Sequence, residues 1–360
     1  MTKASSRAGA EAIKIQERRL LRPRMADEAQ VDHVRVAPDG KRLAFARKDG
    51  EHAGIYVQDA DGNSQRILEC TELMPVEITW SPDGKLLAYG LSEGDEIGAR
   101  RQVGWASSTA PGGGQGGVQP PGEIGWVGGA THAFRPDSGA LFVYSSPTLS
   151  VCDVTKDSGE RVGFAKDTGD PRFPPRIAVS RDAAQIALSV RNSFDEHLAV
   201  WIFQRAGERE IVGTAEYQTS FLTEVPGAEA FVIPFWSPKG VSLGLLIAHL
   251  EKEKSGIVVF RGGEGDGEIL YESELIDAAV APAWAPSGDS IVFTQAVELP
   301  TEADPDAIGY RLAVLSFTER VVVPITGPDK VLGQPRFLGA RGLVIDGGEE
   351  AHLLMFEAPP

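Results

Sequence analysis

Two cysteines in 360 residues, Cys70 and Cys152, are too few for a disulfide framework. The fold must rest on burial and hydrogen bonding, and a reducing compartment is the expectation. Long apolar runs are missing as well. No stretch approaches the ~18–20 apolar residues of a membrane helix. Residues 1–30 carry several Arg and Lys but no apolar core of an export signal. The chain therefore reads as cytoplasmic, with no membrane partner. Positive charge is also scarce: 35 Lys and Arg stand against 51 Asp and Glu, a formal net charge of −16. A nucleic acid backbone needs clustered cations, so nucleic acid is excluded as a partner. A protein or peptide partner is expected instead, and a basic one by charge complementarity. Catalytic signatures are lacking too, with no G-x-S-x-G nucleophile elbow and no H-E-x-x-H zinc motif.

What the chain does contain is a repeat. In ITWSPDGKLLAYG, Ile78 to Gly90, a short apolar segment ends in Trp80 and a second apolar run begins at Leu86. Between them, Pro presets φ for a turn, Asp tolerates the next position and Gly takes the left-handed one. The segment reads strand, tight turn, strand. It recurs as VRVAPDGKRLAFA from Val34, THAFRPDSGALFVYS from Thr131 and IAVSRDAAQIALSV from Ile177. Further copies are PFWSPKGVSLGLLI from Pro234, PAWAPSGDSIVFTQ from Pro282 and a degraded PRFLGARGLVIDGG from Pro335. The apolar residues before the turn (Val36, Trp80, Phe134, Val179, Trp236, Trp284 and Phe337) are 44, 54, 45, 57, 48 and 53 residues apart. That is the period of propeller blades. IYVQDADGNSQRIL, from Ile55, adds a third strand, a hairpin turn and a fourth strand.

The expected fold is all-β: a seven-bladed β-propeller of four-stranded antiparallel blades, with residues 31–358 forming one domain. The seventh unit offers strands at Arg336 to Leu338, Leu343 to Asp346 and His352 to Glu357, and then the chain runs out. An open strand edge is a hazard that closed folds avoid. Within the N-terminal segment, residues 1–30, the stretch 13–21 (IKIQERRLL) is predicted to supply the missing outer strand.

The pairing of WSPDGKLLAY with IYVQDADGNSQRIL resembles the TolB-like, WD-repeat-like propeller repeat. That repeat also builds the propeller domains of prolyl oligopeptidase-like peptidases. The resemblance implies a fold and says little of function, because each motif is a structural device. The export-linked scaffold role of TolB does not carry over to a chain without a recognisable signal. With about three residues after the last blade, no hydrolase domain is expected.

Smaller motifs reduce to turns and loops. Gly112, Gly114 and Gly117 satisfy G-x-G-x-x-G, but residues 107–122 form a Gly- and Pro-rich stretch with no helical period after it. Asp59-x-Asp61-x-Asn63 opens like a calcium loop, yet Ser64 and Cys70 stand where Gly and Glu would be needed, so a hairpin turn is expected.

Loops converging at one end of a ring are where such scaffolds bind ligands. His33, Glu77, His132, Arg176, Asp277 and Gln334 each lie at or just before a first strand, at the expected mouth of the central channel. They are the candidate partner-binding or ligand-binding residues, with no catalytic residue, metal or cofactor assigned. The leading expectation is a non-catalytic binding or scaffold module acting through one loop-rich face. The alternative is a metal-assisted lyase or hydrolase. Lyases on seven-bladed propellers of similar repeat type hold a metal with histidines and a glutamine, so the resemblance would give His33, His132 and Gln334 that role.

Overall fold

The computed structural model describes residues 13–24, 29–49, 52–70, 73–92, 101–109, 116–117, 131–145, 148–154, 158–164, 175–191, 198–208, 215–225, 230–240, 242–249, 254–261, 267–273, 280–298, 308–317, 319–326 and 333–357. Among them there are no helices, and the strands form seven four-stranded antiparallel sheets, the blades of a β-propeller.

Blade one runs Gln30–Val36, Leu43–Asp49, His52–Gln58 and Ser64–Cys70. Blade two runs Met74–Trp80, Leu86–Ser92, Arg101–Ser107 and the two-residue Gly116–Gly117. Blade three comprises Thr131–Phe134, Ala140–Ser145, Thr148–Asp153 and Ser158–Phe164, and blade four Arg176–Val179, Gln185–Arg191, Leu198–Glu208 and Ala215–Val225. Blade five is Ala230–Trp236, Ser242–His249, Lys254–Arg261 and Glu268–Ser273, and blade six Ala283–Trp284, Ser290–Glu298, Ile308–Ser316 and Val321–Pro324. Blade seven takes Gln334–Leu338, Gly342–Asp346 and Ala351–Phe356 from the end of the chain. Its outer strand is Ile15–Leu21, antiparallel to Ala351–Phe356. The N-terminal strand closes the last blade, as the open edge in the sequence required. Arg22–Pro226 forms one compact unit holding blades one to four, and Met1–Leu21 with Gly227–Pro360 forms a second holding blades five to seven.

The repeated turns explain why this sequence makes blades. In each of the first six repeats the residue after the first strand receives the fourth turn residue's N–H: Gly40, Gly84, Ser138, Ala183, Gly240 and Gly288 donate to Ala37, Ser81, Arg135, Ser180, Ser237 and Ala285 carbonyls at 2.8–2.9 Å. All six donors adopt a left-handed φ, between 56° and 76°. A carboxylate pins the turn where Asp is present. Asp39, Asp83, Asp137 and Asp182 each accept the N–H two residues on, at 2.8, 3.1, 2.9 and 3.0 Å. The seventh turn is one residue shorter and is carried by Gly339 at φ 66°.

Apolar residues on both faces of each sheet pack on neighbouring blades within a unit. Ile55, Ile67, Ile78, Trp80 and Leu87 share one cluster between blades one and two. Ile257, Trp284, Ile291 and Phe293 do so between blades five and six. Trp80 and Trp284 are each 8% exposed, and their indoles reach back to the preceding blade, donating to the Arg35 and Phe235 carbonyls at 3.0 and 3.1 Å. Trp236, at the equivalent position of blade five, is only half-buried.

One element departs from the sequence reading. Residues 107–122 read as loop, yet Gly116–Gly117 pairs with Gly104 and Trp105 as the fourth strand of blade two. Glycine has low strand propensity, so pattern alone hides it. Gly112 and Gly114 lie outside the described residues.

Candidate functional site

The first strands of blades one and two both begin with an irregular register. Pairing with the second strand skips from Asp32 to Arg35 in blade one, and from Pro75 to Glu77 in blade two. A bulge re-aims the side chains beside it. His33 and Val34 lie within the first irregularity, and Glu77 directly follows the second, after the skipped Val76. His33 pays for its placement in backbone strain: its φ is 53°, the left-handed region that histidine seldom enters. Its N–H donates to the Asp32 carboxylate at 2.6 Å, which fixes the kink locally.

Blade three brings the third member. His132, in Thr131–Phe134, has a side chain with no exposed surface, and its Nδ1 lies 3.6 Å from Glu77 Oε2. That is just beyond hydrogen-bond range. Among the described residues, neither His132 ring nitrogen has a hydrogen-bond partner. Glu77 is one-third exposed and faces Gly90 across the ladder. A Cβ on Gly90 would lie in ordinary van der Waals contact with Glu77, 3.4 Å from its Cβ and 3.9 Å from Oε2.

Burial pushes the His33 imidazole below the ordinary histidine range. The Asp32 and Glu77 carboxylates pull it back up, and Arg35 pushes it down. The first effect wins, which leaves His33 neutral near pH 7 and able both to donate and to accept. The cluster thus offers the Glu77 and Asp32 carboxylates, a neutral imidazole and a second imidazole whose nitrogens have no hydrogen bond among the described residues.

Three of the six sequence-derived residues, His33, Glu77 and His132, therefore belong to one cluster in the unit of blades one to four. Arg176 opens blade four in the same unit, with an exposed side chain. Gln334 opens blade seven, in the other unit, and is exposed. Asp277 lies outside the described residues. Sequence reasoning missed Asp32, although the Asp-His pair was a visible signal for it.

The calcium-like Asp59 motif is a turn. Asp59 accepts the N–H groups of Asp61 and Asn63 at 2.9 Å each, and the Asn63 amide at 3.0 Å. Both cysteines are buried, and burial, helped by Glu69, pushes the Cys70 thiol up to about 11.

No family model and no curated protein matches the chain. Solved structures do. An oligogalacturonate lyase in complex with manganese is 14% identical with a TM-score of 0.55, covering 96% of this chain and 98% of that one. A prolyl endopeptidase is 13% identical with a TM-score of 0.53, covering 92% of this chain and 50% of that one. TolB from Acinetobacter baumannii is 14% identical with a TM-score of 0.45, covering 92% of this chain; the chain spans 64% of its length. Among the described residues, no group of three or more His, Cys, Asp or Glu is placed to hold a metal ion. What the chain has in common with the lyase and the endopeptidase is the propeller fold.

Proposed function

We propose that the protein is a binding module that recognises a basic group, a lysine or arginine side chain of a protein or peptide partner, at the His33–Glu77–His132 cluster. The observation that carries this reading is the pairing of a partly exposed carboxylate with a fully buried imidazole whose nitrogens lack partners. Buried polar atoms of that kind are costly until something satisfies them. A guanidinium or ammonium group seated on Glu77 supplies the charge complement. His33, held neutral by burial, can accept one of its N–H groups. The net charge of −16 adds long-range attraction for a cationic partner.

Selection of random peptides on the immobilised full chain tests the proposal. The recovered peptides are expected to be enriched in Arg and Lys, and Glu77→Gln is expected to weaken them about tenfold or more, some 1.4 kcal/mol. Peptides without basic enrichment, or binding indifferent to Glu77→Gln, would refute it. Metal analysis of protein purified without chelator decides against the enzymatic alternative or for it. About one transition metal per chain, lost on His33→Ala with His132→Ala, would favour a metal-assisted lyase or hydrolase.

A further inference from the structure

The Glu77 cluster holds a latent cation of its own. His132 Nδ1 lies 3.6 Å from Glu77 Oε2, and the imidazole has no exposed surface. With the ring neutral, the two groups make no hydrogen bond, and the one-third-exposed carboxylate keeps its charge for a partner. With a proton on both ring nitrogens, His132 becomes a buried cation. A charge taken out of water is costly unless it is paired, so that cation has to draw on Glu77.

The surrounding elements offer His132 no second carboxylate at such a distance among the described residues. Blade one brings Asp32, His33 and Arg35. Asp32 accepts the His33 N–H at 2.6 Å, and Arg35 donates to the Val34 carbonyl at 3.0 Å. Arg176 opens the first strand of blade four, which packs beside Thr131–Phe134, and adds a further positive charge. The second strands behind carry two tyrosines, but Tyr89 packs between blades one and two and Tyr144 between blades three and four. Cys152 lies in the apolar cluster between blades two and three. Glu77 is the carboxylate that His132 faces.

We propose that a proton on His132 and the basic group of a partner compete for Glu77, so that the site lets go of its partner as pH falls below neutrality. This rests on the reading of Glu77 as the seat of a lysine or arginine side chain, and adds to it a control by pH. Histidine is the side chain whose charge ordinarily changes between about pH 5 and pH 8, which sets the range of the competition. A seated guanidinium or ammonium group excludes the proton, and the proton excludes it in turn, because linkage between two ligands is reciprocal. Binding therefore releases protons, and affinity rises with pH. His33 acts later in the same direction. Burial, opposed by Asp32 and Glu77, keeps its imidazole neutral to lower pH, and its protonation then sets another positive charge beside the site.

Calorimetric titration of the full chain tests this, using the tightest arginine peptide from the selection, free of histidine and acetylated at its N-terminus. In buffers of different ionisation enthalpy, binding is expected to weaken about fivefold or more between about pH 7.5 and pH 5.5, with protons released on binding. His132→Gln, which stays polar but takes up no proton, is expected to flatten that dependence whatever its affinity at neutral pH. Should this variant fold poorly, histidine NMR of the wild type reads the same competition: saturating peptide is expected to suppress protonation of His132. Binding that is sensitive to Glu77→Gln yet constant across the range, with no proton released, would overturn the competition and leave the binding reading standing. A folded His132→Gln that keeps the full dependence would overturn it too. No binding of any basic peptide at neutral pH would overturn both readings together.

Discussion

Ala183 and Ser138 occupy a left-handed turn position that glycine fills at Gly40, Gly84, Gly240 and Gly288. A Cβ there costs about 1–2 kcal/mol, partly offset because glycine loses more freedom on folding. Ala183→Gly is therefore expected to raise stability by about 0.5–1 kcal/mol in denaturant titration. Ser138→Gly is not, because the Ser138 hydroxyl accepts the Asp83 N–H at 3.0 Å and ties blade three to blade two. A loss of stability in Ala183→Gly would contradict this reading of the turn. His33 makes a second prediction at this scale. Burial holds its pKa below the ordinary 6.5, so the unfolded chain takes up a proton there first as pH falls. The contribution of neutral His33 is full above about pH 6.5 and declines as pH drops through 6.5 towards the lowered folded value. His33→Asn, which tolerates the same φ, should flatten the fall in melting temperature between about pH 7 and pH 5. An unchanged slope would mean that the imidazole is solvated. His33, Glu77 and His132 could be singled out in the sequence because each lies two or three residues before the apolar residue that precedes a repeated turn. The register shifts at His33 and just before Glu77 were not, because a bulge leaves the apolar pattern of a strand almost untouched.

Among the elements, the keystone tryptophans and the closing strand bear the most weight. Trp284 packs on Phe235 and Phe317, with ring centroids 6.0 and 5.0 Å away, and donates to the Phe235 carbonyl. Trp284→Ala is expected to cost about 3–5 kcal/mol, and Trp284→Phe much less. A cost under about 1 kcal/mol for the alanine variant would place the indole outside the core. The closing strand is half a hydrophobic anchor and half a ladder. Ile13 and Ile15 pack against Leu343, Leu354 and Phe356, while Arg18, Arg19 and Leu20 stay exposed along the outer edge. Deleting residues 1–21 uncovers Ala351–Phe356, so a marked drop in melting temperature with aggregation is expected. Melting unchanged by the deletion would make the strand dispensable. Its existence was legible by counting: three strands in the last repeat demanded a fourth. Its mixed face was not, because a register shift between Ile15 and Glu17 breaks the alternation that marks a strand.

For the whole molecule, repeat and period sufficed to specify seven blades, since six copies encode the same hairpin and the seventh a shortened one. The proposed function rests on what departs from the repeat: a histidine at positive φ, a partly exposed carboxylate and a buried imidazole whose ring nitrogens have no hydrogen bond among the described residues. The long-range field of a strongly acidic chain favours cationic partners, and the proposed function makes Glu77 the place where that preference becomes a specific contact. A double-substitution cycle tests this most directly. A selected basic peptide and its Arg→Gln counterpart are each titrated by calorimetry into the wild-type protein and into Glu77→Gln. The account predicts strong coupling: loss of the peptide arginine weakens binding about tenfold or more in the wild type and hardly at all in Glu77→Gln. Equal losses in both proteins would show that the arginine does not sit on Glu77, and would contradict the account.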